Sequence, residues 1–138
     1  MNNPTKTEKL NVLIVDDDAL CIQIAEHSLK KHFNVSAVNS GFAAVEIIEK
    51  KHFDIILMDI NLNNVFMDGI KTTQLIRLNK KHKHLLIYAF TVHVNSKKWY
   101  LDLGFDGLYI KPISEQEFIL EIESKIKAGK IKSLQIIA

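Results

Sequence analysis

Short apolar runs recur along this chain, and four of them end on residues capable of chemistry. Val12-Leu13-Ile14-Val15 is followed by Asp16 and Asp17, and Ile55-Ile56-Leu57-Met58 by Asp59. Leu85-Leu86-Ile87-Tyr88-Ala89-Phe90 leads to Thr91, and Leu108-Tyr109-Ile110 to Lys111. Continuous apolar runs of this length read as strands buried on both faces. The pattern predicts strands at 11–15, 35–38, 54–58, 85–90 and 107–110, and helices at 19–31, 41–50, 69–79 and 95–103. A last helix runs from the cap Ser114, with Glu117 three residues on as a capping box, to about 127. Cys21, Ile24, Ala25 and Leu29 form the inward face of the first helix, and Phe42, Ala44, Val45 and Ile48 that of the second. Ser40 opens the second helix, and Asp18 is expected to cap the first.

Strands alternating with helices imply an α/β fold, a parallel sheet with helices on both faces. In such sheets ligands bind in the crevice outside the carboxyl ends of the strands. Asp16, Asp17, Asp59, Thr91 and Lys111 are therefore expected to converge although they lie far apart in the sequence. Three carboxylates suit a hard divalent cation such as magnesium, which uses one or two carboxylates with waters and phosphate oxygens. Without positive charge they would repel and raise one another's pKa. The metal and Lys111 would offset that repulsion and neutralise a bound phosphoryl group. A carboxylate so flanked can act as a nucleophile and form an acyl phosphate. Thr91 can donate its hydroxyl to one phosphoryl oxygen while Lys111 pairs with another.

Composition narrows the classes. The chain has 138 residues, 47% hydrophobic and 25% charged, which fits one globular domain. Its net charge is +2, Arg77 is the only arginine, and the lysines are dispersed except near Lys80-Lys81, a pattern that argues against nucleic acid as the primary partner. Cys21 is the single cysteine, so no internal disulfide forms and a packing role in a reducing compartment is expected. Residues 1–9 form a polar arm without the apolar core of a signal peptide, and no stretch reaches membrane-spanning length. The expectation is a cytoplasmic protein with no membrane partner. Residues 10–127 form the domain and 128–138 a tail, with Ile131, Leu134, Ile136 and Ile137 apolar and Gly129 ending the last helix. The tail either packs on the sheet edge, extends the helix or binds a partner.

The ordered set Val12-Leu13-Ile14-Val15-Asp16-Asp17-Asp18, Leu57-Met58-Asp59-Ile60, Met67-Asp68-Gly69, Phe90-Thr91 and Gly104-Phe105-Asp106-Gly107 leading to Lys111-Pro112 resembles the receiver domain of two-component response regulators. The resemblance runs from Leu10 to about Lys127. It implies a flavodoxin-like doubly wound (βα)5 fold with strand order 2-1-3-4-5. It also implies Asp59 as phosphoacceptor, Asp17 as a direct ligand of Mg2+ (or Mn2+), Asp16 acting mostly through water, and Asn61 giving its backbone carbonyl to the metal. Thr91 and Lys111 would hold the phosphoryl oxygens, and Lys111-Pro112 would be cis. The implied donor is a sensor histidine kinase or a histidine phosphotransfer protein, with an unknown downstream protein as target. The implied oligomeric state is monomer or phosphorylation-dependent dimer. Such a domain is a phosphoacceptor rather than an enzyme, with at most self-catalysed phosphorylation and dephosphorylation. The start at Met1 reads as that of a whole, stand-alone protein rather than a piece of a hybrid kinase.

Several positions depart from the family pattern. The loop from Asp59 to Gly69 is about two positions longer than usual, with Asn63 where a proline is common. The stretch from Thr91 to Lys111 is short, so the fourth helix is expected to be truncated or displaced. The switch aromatic, three residues before the lysine, is replaced by Leu108 with Tyr109 beside it; adjacent strand residues face opposite sides. The usual coupling through Thr91 is then weakened or absent. Val92 is bulkier than the usual small residue. His93 is either a tuner of hydrolysis, together with Asn61, or a solvated loop histidine, and His82 and His84 are expected to be exposed. Leu20 and Ile22, or alternatively Trp99, Tyr100 and Phe118, are candidate partner anchors. The competing functions are a phosphorylation-independent receiver-fold binding module and a hydrolase. The hydrolase is disfavoured because Asn61 stands where it would need an acid/base carboxylate.

Overall fold

The computed structural model describes residues 9–92 and 95–131. Its strands are β1 (Asn11–Val15), β2 (Asn34–Val38), β3 (Ile55–Met58), β4 (Leu86–Thr91) and β5 (Gly107–Ile110), all parallel, in the order 2-1-3-4-5. The helices are α1 (Ala19–Leu29), α2 (Gly41–Lys50), α3 (Gly69–Leu78), α4 (Lys97–Asp102) and α5 (Glu115–Lys127), with a 3-10 turn at Lys80–His82. The architecture is therefore the expected doubly wound, flavodoxin-like one.

Two-residue alternation along the strands divides the core in two. Val12, Ile14, Ile55, Leu57, Tyr88 and Phe90 face α1 and α5, where they meet Ala25, Leu29, Phe118 and Ile122. Leu13, Val15, Ile56, Met58, Ile87 and Ala89 face α2, α3 and α4, where they meet Ala44, Ile48, Ile76 and Tyr100. Caps set the helix starts. Asp18 accepts from the backbone N–H of Leu20 at 2.9 Å, Ser40 from Ala43 at 3.1 Å, Asp68 from Lys71 at 2.8 Å and Ser114 from Glu117 at 3.3 Å. Gly129, at φ 76°, ends the final helix in the left-handed conformation. Ile131 packs against the core on the α5 side; Leu134, Ile136 and Ile137 lie outside the described residues.

Several expectations need correction. The inward stripe of α2 is Gly41, Ala44 and Ile48, so Phe42, one position off it, is exposed, and Val45 is half-buried. In α1 the stripe is Ala25 and Leu29, which leaves Ile24 exposed and Cys21 only half-buried. The fourth helix is short, as expected, because Ser96 caps it through the N–H of Trp99. His82 is buried, not exposed: the 3-10 turn points its imidazole inward, where Nε2 lies 2.7 Å from Glu49 Oε1. That contact holds the Glu49 carboxyl below its ordinary pKa, with Lys81 adding to the effect. His84 is exposed, stacked on His52 with ring centroids 5.4 Å apart.

The sole arginine is a structural tie. Arg77 on α3 donates through Nε to the Gly104 carbonyl at 2.9 Å, through Nη1 to the Leu85 carbonyl at 2.7 Å, and through Nη2 to Asp106 at 2.6 Å. Asp106 in turn accepts from the N–H of Ile87 at 2.8 Å, so one guanidinium locks α3 to the starts of β4 and β5. A lysine cannot reproduce this fork. Arg77→Lys should cost roughly 1–3 kcal/mol in urea unfolding, whereas Lys98→Ala, which removes an exposed ion pair with Asp102, should cost under about 0.5 kcal/mol.

Candidate functional site

The parallel strands deliver their carboxyl ends to one edge. Asp16 and Asp17 follow β1, Asp59 follows β3, Thr91 closes β4 and Lys111 follows β5. A backbone bond from the Lys111 N–H to the Thr91 carbonyl, 3.0 Å, fixes the last two relative to each other. One carboxylate oxygen from each of Asp16, Asp17 and Asp59 lies within 4.8 Å of the other two. Lys111 Nζ donates to Asp16 Oδ2 at 2.5 Å and stands 3.6 Å from Asp59 Oδ1. Asp16 also accepts from the N–H of Asp18 at 2.9 Å, so its fully buried carboxylate is held on both sides. The Lys111-Pro112 peptide is cis.

Burial dominates the electrostatics. Asp59 is pushed up from 3.8 to about 6, first by burial and then by the charge of Asp16, against the pull of Lys111 and the N–H of Asn61. Burial alone would lower the Lys111 ammonium, but its bond to Asp16 and its attraction to Asp59 keep it above the ordinary lysine value. Positive charge brought beside Asp59 would favour its ionised form, as Lys111 already does in part. All three acids are hard oxygen donors, and Asp17 is partly open to solvent, so the set fits a divalent cation that keeps waters.

Two features were invisible in the sequence. Asn63, at φ 48°, turns the long loop back so that its side-chain amide donates to Asp17 Oδ2 at 2.5 Å. The left-handed turn suits asparagine and not the proline common there. Gly69 begins α3 directly on the backbone of the acid: a Cβ at that position would lie 1.9 Å from the Asp59 carbonyl oxygen. The glycine in Met67-Asp68-Gly69 was the signal; its contact was not.

The remaining site residues separate by face. Leu108 pairs in register with Ala89 and packs in the core on the α4 side, which strand alternation makes the side of Thr91 as well. Tyr109 faces the other way, its ring centroid 5.1 Å from Tyr88 and 5.4 Å from Phe118, and its buried hydroxyl has no partner among the described residues. Asn61 is exposed two positions past Asp59, and Val92 is exposed beyond Thr91. His93 lies outside the described residues.

The family profile described as "Response regulator receiver domain" matches residues 12–123. The chain belongs to that family. Among curated proteins it is similar to the sensor protein GacS of Pseudomonas syringae pv. syringae, 33% identical over 120 residues, which cover 83% of this chain and 13% of that protein. It is also similar to the cell cycle response regulator CtrA of Brucella ovis, 30% identical over 122 residues, covering 88% of this chain and 52% of that one. The receiver thus spans between about one-eighth and one-half of these relatives. Among solved structures it resembles a putative response regulator from Chloroflexus aurantiacus, with TM-score 0.77 and 24% identity over 87% of this chain and 99% of that one. The Vibrio cholerae chemotaxis protein CheY4 has TM-score 0.73 and 24% identity over 84% of this chain and 98% of that one.

Two measurements follow from this geometry. Gly69→Ala should destabilise the receiver by about 2–3 kcal/mol in urea unfolding, because backbone meets backbone where the methyl must go. For Asp59, a pKa raised by folding means that ionisation opposes folding. The penalty is absent below about pH 4 and complete above about pH 6, so stability falls as pH rises through that window. Asp59→Asn should therefore gain roughly 1–3 kcal/mol at pH 7.5 without divalent cation, and the gain should vanish by pH 4. Thermal unfolding across pH checks both ends of the window.

Proposed function

We propose that this receiver accepts a phosphoryl group on Asp59 from a phosphohistidine of a sensor histidine kinase or a histidine phosphotransfer protein, and that the transfer depends on Mg2+. The observation that carries the reading is the placement of Lys111 3.6 Å from Asp59 in a pocket with two further carboxylates. In the transfer, an Asp59 carboxylate oxygen bonds to phosphorus as the P–N bond breaks. The electron pair stays with the imidazole nitrogen, and Asp59 becomes an acyl phosphate. Lys111 pairs with one phosphoryl oxygen and Thr91 donates its hydroxyl to another. Asp16, buried and bonded to Lys111, positions the ammonium. Asp17, Asp59 and the carbonyl of Asn61 would hold the cation, with Asp16 acting through water. Bound Mg2+ (or Mn2+) supplies positive charge that stabilises the phosphoryl oxygens in transit.

Output would pass through protein contacts or by handing the phosphoryl group on. Leu108 offers no ring on the side of Thr91, so the signal would not use an aromatic swing there. Of the candidate anchors, Leu20 and Trp99 are exposed and Ile22 is half-buried, whereas Tyr100 and Phe118 are core residues. Tyr100 and Phe118 are not partner contacts, because both belong to the packed interior. No helix among the described residues is long and apolar enough to cross a membrane.

Intact-protein mass after incubation with acetyl phosphate tests the reading. A single phosphoryl adduct should form with Mg2+, disappear with a chelator, and be absent in Asp59→Asn. Lys111→Ala should slow its formation roughly 10–100-fold, the scale of losing one charge-stabilising group. No adduct in the wild-type protein would leave the second reading, a receiver-fold binding module that acts without phosphorylation.

A further inference from the structure

The end of the molecule opposite the acidic site carries features that phosphotransfer does not use. Between α2 and α3 runs a recess of about 470 Å3 floored by Val45, Ile48 and Ile76. On its rim, Leu75 and Leu78 of α3 are exposed to 45% and 80%. A second recess of about 280 Å3 adjoins it, sharing Ile48, Glu49 and His82. Its lining is cationic: Lys50, Lys51 and Lys81 with three histidines, against Glu49 alone. Glu49 is already occupied, with His82 at 2.7 Å and Lys81 at 2.9 Å. Lys80 lines the first recess and Lys51 the second, neither with an ion-pair partner among the described residues.

An apolar trough between two helices, joined to a basic recess, fits an apolar stripe bordered by acids. Exposed leucines gain from aliphatic side chains, which a polyanion such as nucleic acid lacks, and unpaired lysines gain from carboxylates. We propose that the α2–α3 groove docks an acidic amphipathic segment of a partner protein. Leu75 and Leu78 grip the apolar stripe, and Lys51 and Lys80 pair with its acids. Because the groove lies at the opposite end of the sheet from Asp59, docking leaves the acidic site open. Binding is therefore independent of whether Asp59 can be phosphorylated.

The test is an NMR titration of the 15N-labelled full chain with a synthetic helical peptide that carries leucines on one face and glutamates on the others. Shifts should concentrate at Ile48, Leu75, Leu78 and Lys81, and affinity should fall as salt is raised. Leu78→Glu, and separately Lys80→Glu with Lys51→Glu, should each weaken binding at least roughly tenfold. All these side chains are exposed, so folding should persist, as circular dichroism would verify. Asp59→Asn should bind as the wild type does, which separates this proposal from the phosphoacceptor reading. Four results would overturn the proposal: no shifts, shifts on another face, equal binding of a peptide with lysines in place of glutamates, or preferential binding of a DNA duplex at these residues. Self-association of the chain that Leu78→Glu abolishes, seen by sedimentation, would assign the groove to a second copy instead.

Discussion

One half-buried ammonium, that of Lys111, ties the acidic pocket together. Lys111 stands between Asp16 and Asp59, and with Asp17 nearby the pocket would otherwise concentrate negative charge where solvent cannot dissipate it. Burial, and after it the charge of Asp16, raises the pKa of Asp59 to about 6, and the one lysine offsets that only in part. On the proposed function, a divalent cation would supply further positive charge there, and Asp59 would exchange its own charge for that of a phosphoryl group.

Much of the fold serves to keep that ammonium in place. β5, which ends just before Lys111, is held at its start by the Arg77–Asp106 tie and at its end by the bond from the Lys111 N–H to Thr91. On the other side of the pocket, Gly69 lets α3 begin against the backbone of Asp59, and Asn63 folds the long loop onto Asp17. The extra loop length is therefore absorbed in a defined turn with a polar contact to the site. The opposite end of the sheet is built differently, with exposed Leu75 and Leu78 on α3 beside Lys80 of the turn that follows, which has no ion-pair partner among the described residues.

The sheet was legible because its strands are buried on both faces and so appear as unbroken apolar runs. The strand-end acids, Thr91 and Lys111 were legible for the same reason, since topology carries them to one edge. What escaped depends on side-chain direction rather than on element type. Phe42 and Ile24 fall one position outside the buried stripes of their helices, and apolar character alone does not reveal that. His82 lies in a lysine-rich stretch that reads as solvated, yet a three-residue turn and the carboxylate of Glu49, 33 positions away, draw it inward. Tyr100 and Phe118 resemble surface anchors until the packing of α4 and α5 is known. Asn63 makes its contact with Asp17 across 46 positions, a distance at which sequence pattern is silent.

The most direct measurement is a 13C NMR titration of the aspartate carboxyl carbons, with and without Mg2+, with Asp59→Asn supplying the assignment. The account predicts that Asp59 titrates near pH 6 in the absence of cation and well below its ordinary value when Mg2+ is bound. Titration of Asp59 at an ordinary aspartate pKa, unmoved by Mg2+, would contradict the account. The pocket would then hold neither the charge imbalance nor the cation on which phosphoryl acceptance is argued to rest.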